Sequence, residues 1–189
     1  PINLYGATKL VSDKLFVAAN NLIGKSKTRF AIVRYGNVIN SRGSLIPLIL
    51  KAIKNKQKIF PITDLRMTRF FMSLQDSVKF TINSLNYIRG GEIFIPKLPS
   101  LKIIDLVKHF DNKIKFNIIG RKPGEKIHET LFSEDESENI IEYKNFYILE
   151  PEIIFTSRSV SKIKENKIIK NIKKFKSGFI YSSKNNQNF

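Results

Sequence analysis

The sequence predicts an α/β fold in two unequal parts: a helix leading into a buried parallel strand, then a smaller mixed lobe. Three observations carry this expectation. Apolar residues recur every three or four positions at Leu4, Ala7, Val11, Leu15, Ala18 and Leu22, the period of a helix packed on a core. Thr28 to Arg34 then reads TRFAIVR, short, β-branched and without a polar face, as a strand covered on both sides would. Further on, Glu92–Ile95, a helix through Ile103, Leu106, Val107 and Phe110, and the alternating Ile114, Phe116 and Ile118 give the order strand, helix, strand.

The first helix opens on Tyr5-Gly6-Ala7-Thr8-Lys9 and is expected to end near Asn20, Asn21 and Gly24. Positions i and i+4 share one helix face with Cβ atoms about 6 Å apart, so Tyr5 and Lys9 can act on one bound molecule. An ammonium beside a phenol favours the phenolate and lowers its pKa from about 10, which a proton shuttle at an alcohol carbon requires. Tyr and Lys four apart also occur on ordinary amphipathic helices, so the rest of the chain must decide.

The strand candidate is followed by Tyr35-Gly36-Asn37-Val38-Ile39-Asn40-Ser41-Arg42-Gly43-Ser44, small and polar. In doubly wound sheets ligands bind just outside the carboxyl ends of strands, which is where this loop falls. Ile46 to Asn55 reads as a helix with Pro47 in its first turn, and Ile59 to Thr63 as a short extended piece broken by Pro61. Arg66 and Arg69 stand three apart, a spacing able to clamp a diphosphate with fork-shaped hydrogen bonds. Ser73-Leu74-Gln75-Asp76 resembles a capping box, and Val78, Ile82 and Leu85 supply the expected apolar face of the next helix, which Gly90-Gly91 ends. Ser100 is expected to cap the helix that follows.

Gly120-Arg121-Lys122-Pro123-Gly124-Glu125 reads as a basic turn running into a helix that would carry His128 one turn beyond Glu125. Cations before a helix N-terminus make an anion site, and a carboxylate such as Glu125 can accept from sugar hydroxyls. With only His109 and His128 and no cysteine, a zinc site is not expected, nor is any disulfide. Ser133 to Asn139, rich in acids, reads as a solvated loop without the spaced ligands and central glycine that calcium needs. Ile140 to Leu149 reads as a strand or hairpin, and the stretch beyond Ser157 as a peripheral helix with a polar end.

The chain has 189 residues, 42% hydrophobic and 11% aromatic, enough for a sizeable core. Its net charge of +17 raises a polyanion partner. Residues 157–189 hold nine Lys and Arg against Glu165 alone, and the sequence is crowded with Ile, Lys and Asn, as an AT-rich genome leaves it. Codon bias therefore accounts for the charge more simply than nucleic acid does. No apolar run approaches the roughly 20 residues of a membrane span, so a soluble cytoplasmic location with no membrane or nucleic-acid partner is expected. Starting at Pro1 and entering a helix at once leaves no room for a preceding strand, which predicts a fragment of a longer protein.

Tyr5-Gly6-Ala7-Thr8-Lys9, Arg34-Tyr35-Gly36-Asn37-Val38, Met67-Thr68-Arg69-Phe70 and Pro123-Gly124-Glu125-Lys126 occur together in this order. The combination closely resembles the extended short-chain dehydrogenase/reductases that act on nucleotide sugars, and within them the inverting UDP-N-acetylglucosamine 4,6-dehydratases. The similarity runs from Pro1 to about Ser183. It implies that residues 1–44 are the C-terminal part of a Rossmann-type NAD(P)-binding domain. It makes 45–156 mainly a smaller mixed α/β substrate-binding lobe and 157–189 a basic tail. By this resemblance Tyr5 and Lys9 contact NADP and take part in catalysis, and Val38, Ile39, Asn40, Ser41 and Arg42 line the cofactor. Asn37, Leu45, Thr63, Arg69, Lys122 and Glu125 look like contacts of the UDP-sugar substrate. Lys122 replaces the family's usual Arg and keeps the charge without the bidentate fork. Tyr5, where the membrane-tethered retaining dehydratases usually carry Met, favours the inverting branch. A homo-oligomer is the expected assembly. The Gly-rich dinucleotide turn and the Asp-Lys pair that drives elimination are expected in a preceding segment. A retaining dehydratase or a nucleotide-sugar epimerase is the nearest alternative, and a basic nucleic-acid binder a more distant one.

Overall fold

A computed structural model describes residues 1–152, 173–174 and 178–186. Helix α1 (Leu4–Ala19) leads to strands β1 (Ile32–Val33) and β2 (Asn37–Val38), then helix α2 (Leu45–Lys54). Strands β3 (Ile59–Ile62) and β4 (Thr68–Met72) precede helix α3 (Leu74–Ser84), and β5 (Ile93–Pro96) and β6 (Ser100–Lys102) precede helix α4 (Ile103–Phe110). Strands β7 (Lys115–Ile118), β8 (Thr130–Phe132), β9 (Ile140–Glu142), β10 (Phe146–Leu149), β11 (Lys173–Lys174) and β12 (Tyr181–Ser182) complete the order.

The main sheet runs β1-β5-β10-β9-β11, with β1 parallel to β5 and the other pairs antiparallel. Phe94, Ile95 and Ile148 are fully buried on its two central strands, each burial contributing about 2 kcal/mol. Among the described residues β1 is an edge strand. Only Ile32 and Val33 of the expected Thr28–Arg34 run pair, and they are half-buried rather than covered. A strand with one neighbour has one ladder to hold it, so the regular stretch shortens to the residues that β5 reaches.

A second layer carries the candidate site. β2 lies parallel to β4, β4 antiparallel to β6, and β3 parallel to β7. Ile49 and Ala52 of α2 meet Phe60, Ile62, Met67, Phe71, Ile103 and Val107 in one apolar cluster. Phe70 on β4 faces the other way, into a cluster with Ile95, Leu131, Phe132 and Tyr181. Strand alternation thus lets one strand serve two cores.

Several expectations are corrected. α1 forms as predicted but buries no residue; Leu4, Val11, Leu15 and Leu22 are exposed. On α3 Ser73 caps as predicted, its Oγ accepting from the Asp76 N–H at 3.0 Å. The core side, however, is Ser77, Phe80 and Ser84, with Phe80 packed against Phe146, while Val78, Ile82 and Leu85 face outward. Ser100 does not cap α4, because it pairs in β6; the Ile103 N–H is satisfied by the Met67 carbonyl at 3.0 Å. Residues 120–129 make turns leading into β8 and no helix, so the helix-terminus argument for an anion there falls. Ile140–Leu149 is the expected hairpin, β9 with β10. The acidic stretch forms a 3-10 helix over Asp135–Asn139 with Ser137 buried.

Most of the tail helix expected beyond Ser157 lies outside the described residues. Of the described part, Lys173–Lys174 is the β11 strand, and Tyr181, Ser182 and Ser183 are buried.

Candidate functional site

A cavity of about 470 Å³ opens between the loop after β1, helix α2, strands β3 and β4, and the turn at residue 125. Each wall has a local cause. Gly36 lets the loop close onto β4: a Cβ there would lie 2.5 Å from Phe70 Cβ and 2.8 Å from the Phe70 carbonyl oxygen, so no other residue fits without moving backbone. β2 then sets Asn37 and Val38 beside Phe71 and Met72. α2 turns Ile49 and Ala52 into the core and sets Leu45 in the cavity wall.

Asn37, Leu45, Thr63, Arg69 and Glu125 all line this cavity, together with Val38 and Ile39. Thr63 Oγ1 donates to Glu125 Oε1 at 3.1 Å, and Glu125 Oε2 accepts from the Lys122 N–H at 3.1 Å. A carboxylate accepts about four hydrogen bonds, so acceptor capacity remains for ligand hydroxyls. Lys122 reaches the site through this backbone group; its side chain is exposed and does not line the cavity.

Arg69 is held from behind. Its Nη1 donates to the Thr68 and Ile127 carbonyls at 2.7 and 2.9 Å, and its Nη2 to the Lys126 carbonyl at 2.8 Å. Nε lies 3.5 Å from Glu129 Oε1. The neutral carbonyls fix the plane of the guanidinium, and the partly exposed Glu129 carboxylate offsets part of its charge. Arg66 turns away to a forked pair with Asp64, Nε–Oδ1 2.9 Å and Nη2–Oδ2 2.7 Å, whose hydrogen bonds hold the Asp64 carboxyl well below the usual range. The two-arginine clamp read from spacing is therefore not assembled; only Arg69 faces the cavity.

Tyr5 and Lys9 share one face of α1, with Lys9 Nζ 5.4 Å from the Tyr5 ring centroid, and Tyr5 is 73% exposed. Neither lines the cavity. The two parts are joined by Asn3, which caps α1 by accepting from the Gly6 N–H at 2.7 Å and donates to the Gly124 carbonyl at 2.7 Å. Asn40, Ser41 and Arg42 form an exposed turn after β2, with Asn40 in the left-handed region at φ 61°.

Sequence reasoning missed Asn3 and Arg34. For Asn3 the signal was present, a capping residue just ahead of the apolar period. Arg34 ties α1 to the far lobe: Nε donates to Asp13 Oδ2 at 2.8 Å, and Nη1 and Nη2 donate to Glu136 at 3.0 and 2.9 Å. Burial works to raise the Glu136 carboxyl, but the hydrogen bond and charge of Arg34 outweigh it and hold that group below the ordinary range. No signal short of the fold brings residue 34 to residue 136.

Ser44 stands at the N-cap of α2, yet its Oγ is buried without a hydrogen-bond partner. A capping hydroxyl bonds the N–H at N2 or N3, and here N3 is Pro47, which has none. Among the described residues no cluster of His, Cys, Asp and Glu could hold a metal, and no helix is long and apolar enough to cross a membrane.

Residues 1–151 match the family described as polysaccharide biosynthesis protein. The chain is 50% identical over 186 residues to the inverting UDP-N-acetylglucosamine 4,6-dehydratase of Campylobacter jejuni, a match taking in 98% of this chain and 55% of that protein. It is 40% identical over 151 residues to the UDP-glucose 4-epimerase of Rickettsia bellii, covering 78% of this chain and 44% of that one. The crystal structure of Pen from Bacillus thuringiensis superposes with a TM-score of 0.81 at 36% identity, over 98% of this chain and 53% of that one. The chain thus spans about half the length of these relatives. The fold is mixed α/β of the Rossmann type.

Proposed function

We propose a function from one premise: the chain belongs to the polysaccharide biosynthesis protein family, whose match runs through residues 1–151. It serves in an inverting UDP-N-acetylglucosamine 4,6-dehydratase that uses NADP and yields UDP-4-keto-6-deoxy-L-arabino-hexosamine for pseudaminic acid and surface glycans. The observation that carries this reading is the gathering of Asn37, Leu45, Thr63, Arg69 and Glu125 on one cavity, in a chain 50% identical to a relative of that name.

Arg69 meets the diphosphate, Glu125 accepts from sugar hydroxyls, and Asn37 holds the UDP-sugar at the carboxyl end of β1. The residues fit a dinucleotide. Tyr5, Lys9 and Arg42 are exposed, presenting phenol, ammonium and guanidinium donors to ribose and phosphate. Bound there, NADP⁺ would supply the hydride acceptor for oxidation at C4 of the sugar and, once reduced, the hydride donor for C6 after water has left across C5 and C6. Tyr5 takes the proton from O4 as C4 is oxidised. Lys9, one helical turn away on the same face, places a positive charge beside that transfer.

The glycine-rich dinucleotide turn and the Asp-Lys pair for elimination come from a further segment that packs beside β1. Three features support that placement. The β1 edge has β5 as its only ladder partner among the described residues, and Leu4, Val11 and Leu15 of α1 and Val78, Ile82 and Leu85 of α3 are exposed. The complete enzyme works in the cytoplasm as a homo-oligomer, without nucleic-acid or membrane partners. The relative named UDP-glucose 4-epimerase favours a second reading, C4 epimerisation, which shares the first oxidation.

The test gives UDP-N-acetylglucosamine and NADP⁺ to this chain alone and to a longer chain carrying the preceding segment, with products read by NMR. The longer chain is expected to form the 4-keto-6-deoxy sugar inverted at C5, and the short one no product. Retention at C5, a C4 epimer as sole product, or turnover by the short chain would overturn this assignment.

A further inference from the structure

We propose that Ser183 is a positioning residue for Arg69, so that the C-terminal segment 179–186 sets the affinity of the cavity for nucleotide phosphates. The inference rests on reading the cavity as a UDP-sugar site.

Arg69 sits in a cup of carbonyl groups with two walls. One wall is β4 itself, through the Thr68 carbonyl; the other is residues 126–129, through the Lys126 and Ile127 carbonyls and the Glu129 carboxylate. The Thr68 N–H reaches across to the Ile127 carbonyl at 3.0 Å. Thr68 Oγ1 also lies 2.8 Å from His128 Nδ1, and the remaining bridge between the walls is Ser183, 3% exposed. Its Oγ accepts from the Glu129 N–H at 2.9 Å, lies 2.7 Å from Thr68 Oγ1 and 3.2 Å from the Thr68 carbonyl oxygen, and its own N–H donates to the Glu129 carbonyl at 2.8 Å. One hydroxyl, with one proton and two lone pairs, is used to capacity between the two walls.

Removing that hydroxyl strands the Glu129 N–H in a half-buried position and loosens the Glu129 end of residues 126–129, leaving the Ile127 and His128 bonds to Thr68 to hold them. The cup that aims the guanidinium then loosens on that side. Thr68 and Ser183 lie 115 positions apart in sequence, so this bridge exists only because the C-terminal segment returns to the site. Its anchoring elsewhere is separate. The Tyr181 hydroxyl accepts from the Leu98 N–H at 2.8 Å, and Asn186 Nδ2 donates to the Leu98 carbonyl, and neither bond involves Arg69 or a carbonyl that holds it. A variant at Tyr181 therefore loosens the segment without touching the carbonyl cup.

Calorimetric titration of this chain with UDP and with uridine tests the proposal, because Arg69 is assigned to phosphate and not to the nucleoside. Ser183→Ala is expected to weaken UDP binding about tenfold, as loss of one buried hydrogen-bonded bridge does, while uridine binding stays unchanged. Ser183→Thr, which keeps the hydroxyl, restores UDP affinity. Tyr181→Phe lowers the unfolding temperature but not the UDP affinity of the folded protein. The Arg69 guanidinium ¹⁵N–H signals, held by carbonyls in the parent, exchange rapidly in Ser183→Ala. Should that variant fail to fold, Ser183→Cys takes its place under the same criteria. Parental UDP affinity in the folded variant, an equal loss for UDP and uridine, or an equal loss in Tyr181→Phe would overturn the proposal. If the parent chain binds neither UDP nor uridine, the reading of the cavity fails first, and visibly so.

Discussion

The Asn3 side-chain amide donates to the Gly124 carbonyl at 2.7 Å, while its oxygen caps α1 at the Gly6 N–H. One side chain thereby ties the start of the helix bearing Tyr5 to the residue before Glu125. Asn3→Ala removes both bonds and is expected to cost about 1–2 kcal/mol in urea denaturation. Gly124 sits at φ +76°, and a Cβ there would lie 2.7 Å from Asn3 Cβ. Gly124→Ala is expected to cost about 2 kcal/mol or more, and part of that cost should vanish in an Asn3→Gly background, where the clash is gone and only the backbone strain remains.

Arg34 holds Asp13 and Glu136 at once, with side chains 17–20% exposed. Arg34→Met would leave two carboxylates half-buried and close together, a loss of about 2–3 kcal/mol once partial solvent access is allowed for. The acid side of the stability profile checks the cause. Glu136 titrates lower folded than unfolded, so its contribution is present above the ordinary carboxylate range and is lost as pH falls through the folded value. In Arg34→Met that segment of the slope should flatten.

His128 accepts from or donates to Thr68 Oγ1 at 2.8 Å, depending on its tautomer. Burial, then the charges of Lys184, Arg69 and Arg66, hold its pKa below 6.5, with Asp64 opposing. The folded state therefore resists protonation more than the unfolded chain, and stability should rise with pH across the interval between the folded value and about 6.5. His128→Gln should remove that rise, as read by thermal unfolding between about pH 5 and 7.

Ser44 carries a buried Oγ without a hydrogen-bond partner: of the two positions a cap serves, Pro47 lacks an N–H and the Ile46 N–H is not bonded by it. Ser44→Ala is expected to leave stability unchanged or raise it by up to about 1 kcal/mol, whereas alanine at an ordinary N-cap costs about 1 kcal/mol. Chemical denaturation against the parallel Ser73→Ala, whose hydroxyl does cap Asp76 at 3.0 Å, separates the two cases.

Much of the element order was legible: the α1 period, the α2 helix with its early proline, the Ser73 cap and the Ile140–Leu149 hairpin each follow from local chemistry that the fold did not override. The faces were not legible. Val78, Ile82 and Leu85 recur at helical spacing and still point outward, because periodicity shows that a face is apolar without showing what covers it, and here Ser77, Phe80 and Ser84 meet the core. Residues 120–129 misled for another reason. Their basic turn resembles a helix entry, but Thr68 and Arg69 draw the Lys126 and Ile127 backbone into bonds across the chain.

By itself the sequence determined which side chains were available: Tyr5 and Lys9 one turn apart, and Asn37, Arg69 and Glu125 within motifs that belong together. Tertiary structure decided how they are held. Asn3 reaches Gly124 across 121 positions, Arg34 reaches Glu136 across 102, and Ser183 reaches Thr68 across 115. The physical reason is range. Capping and periodicity act over a few residues and can be read along the chain, whereas a hydrogen bond between distant segments exists only after the core has brought them together.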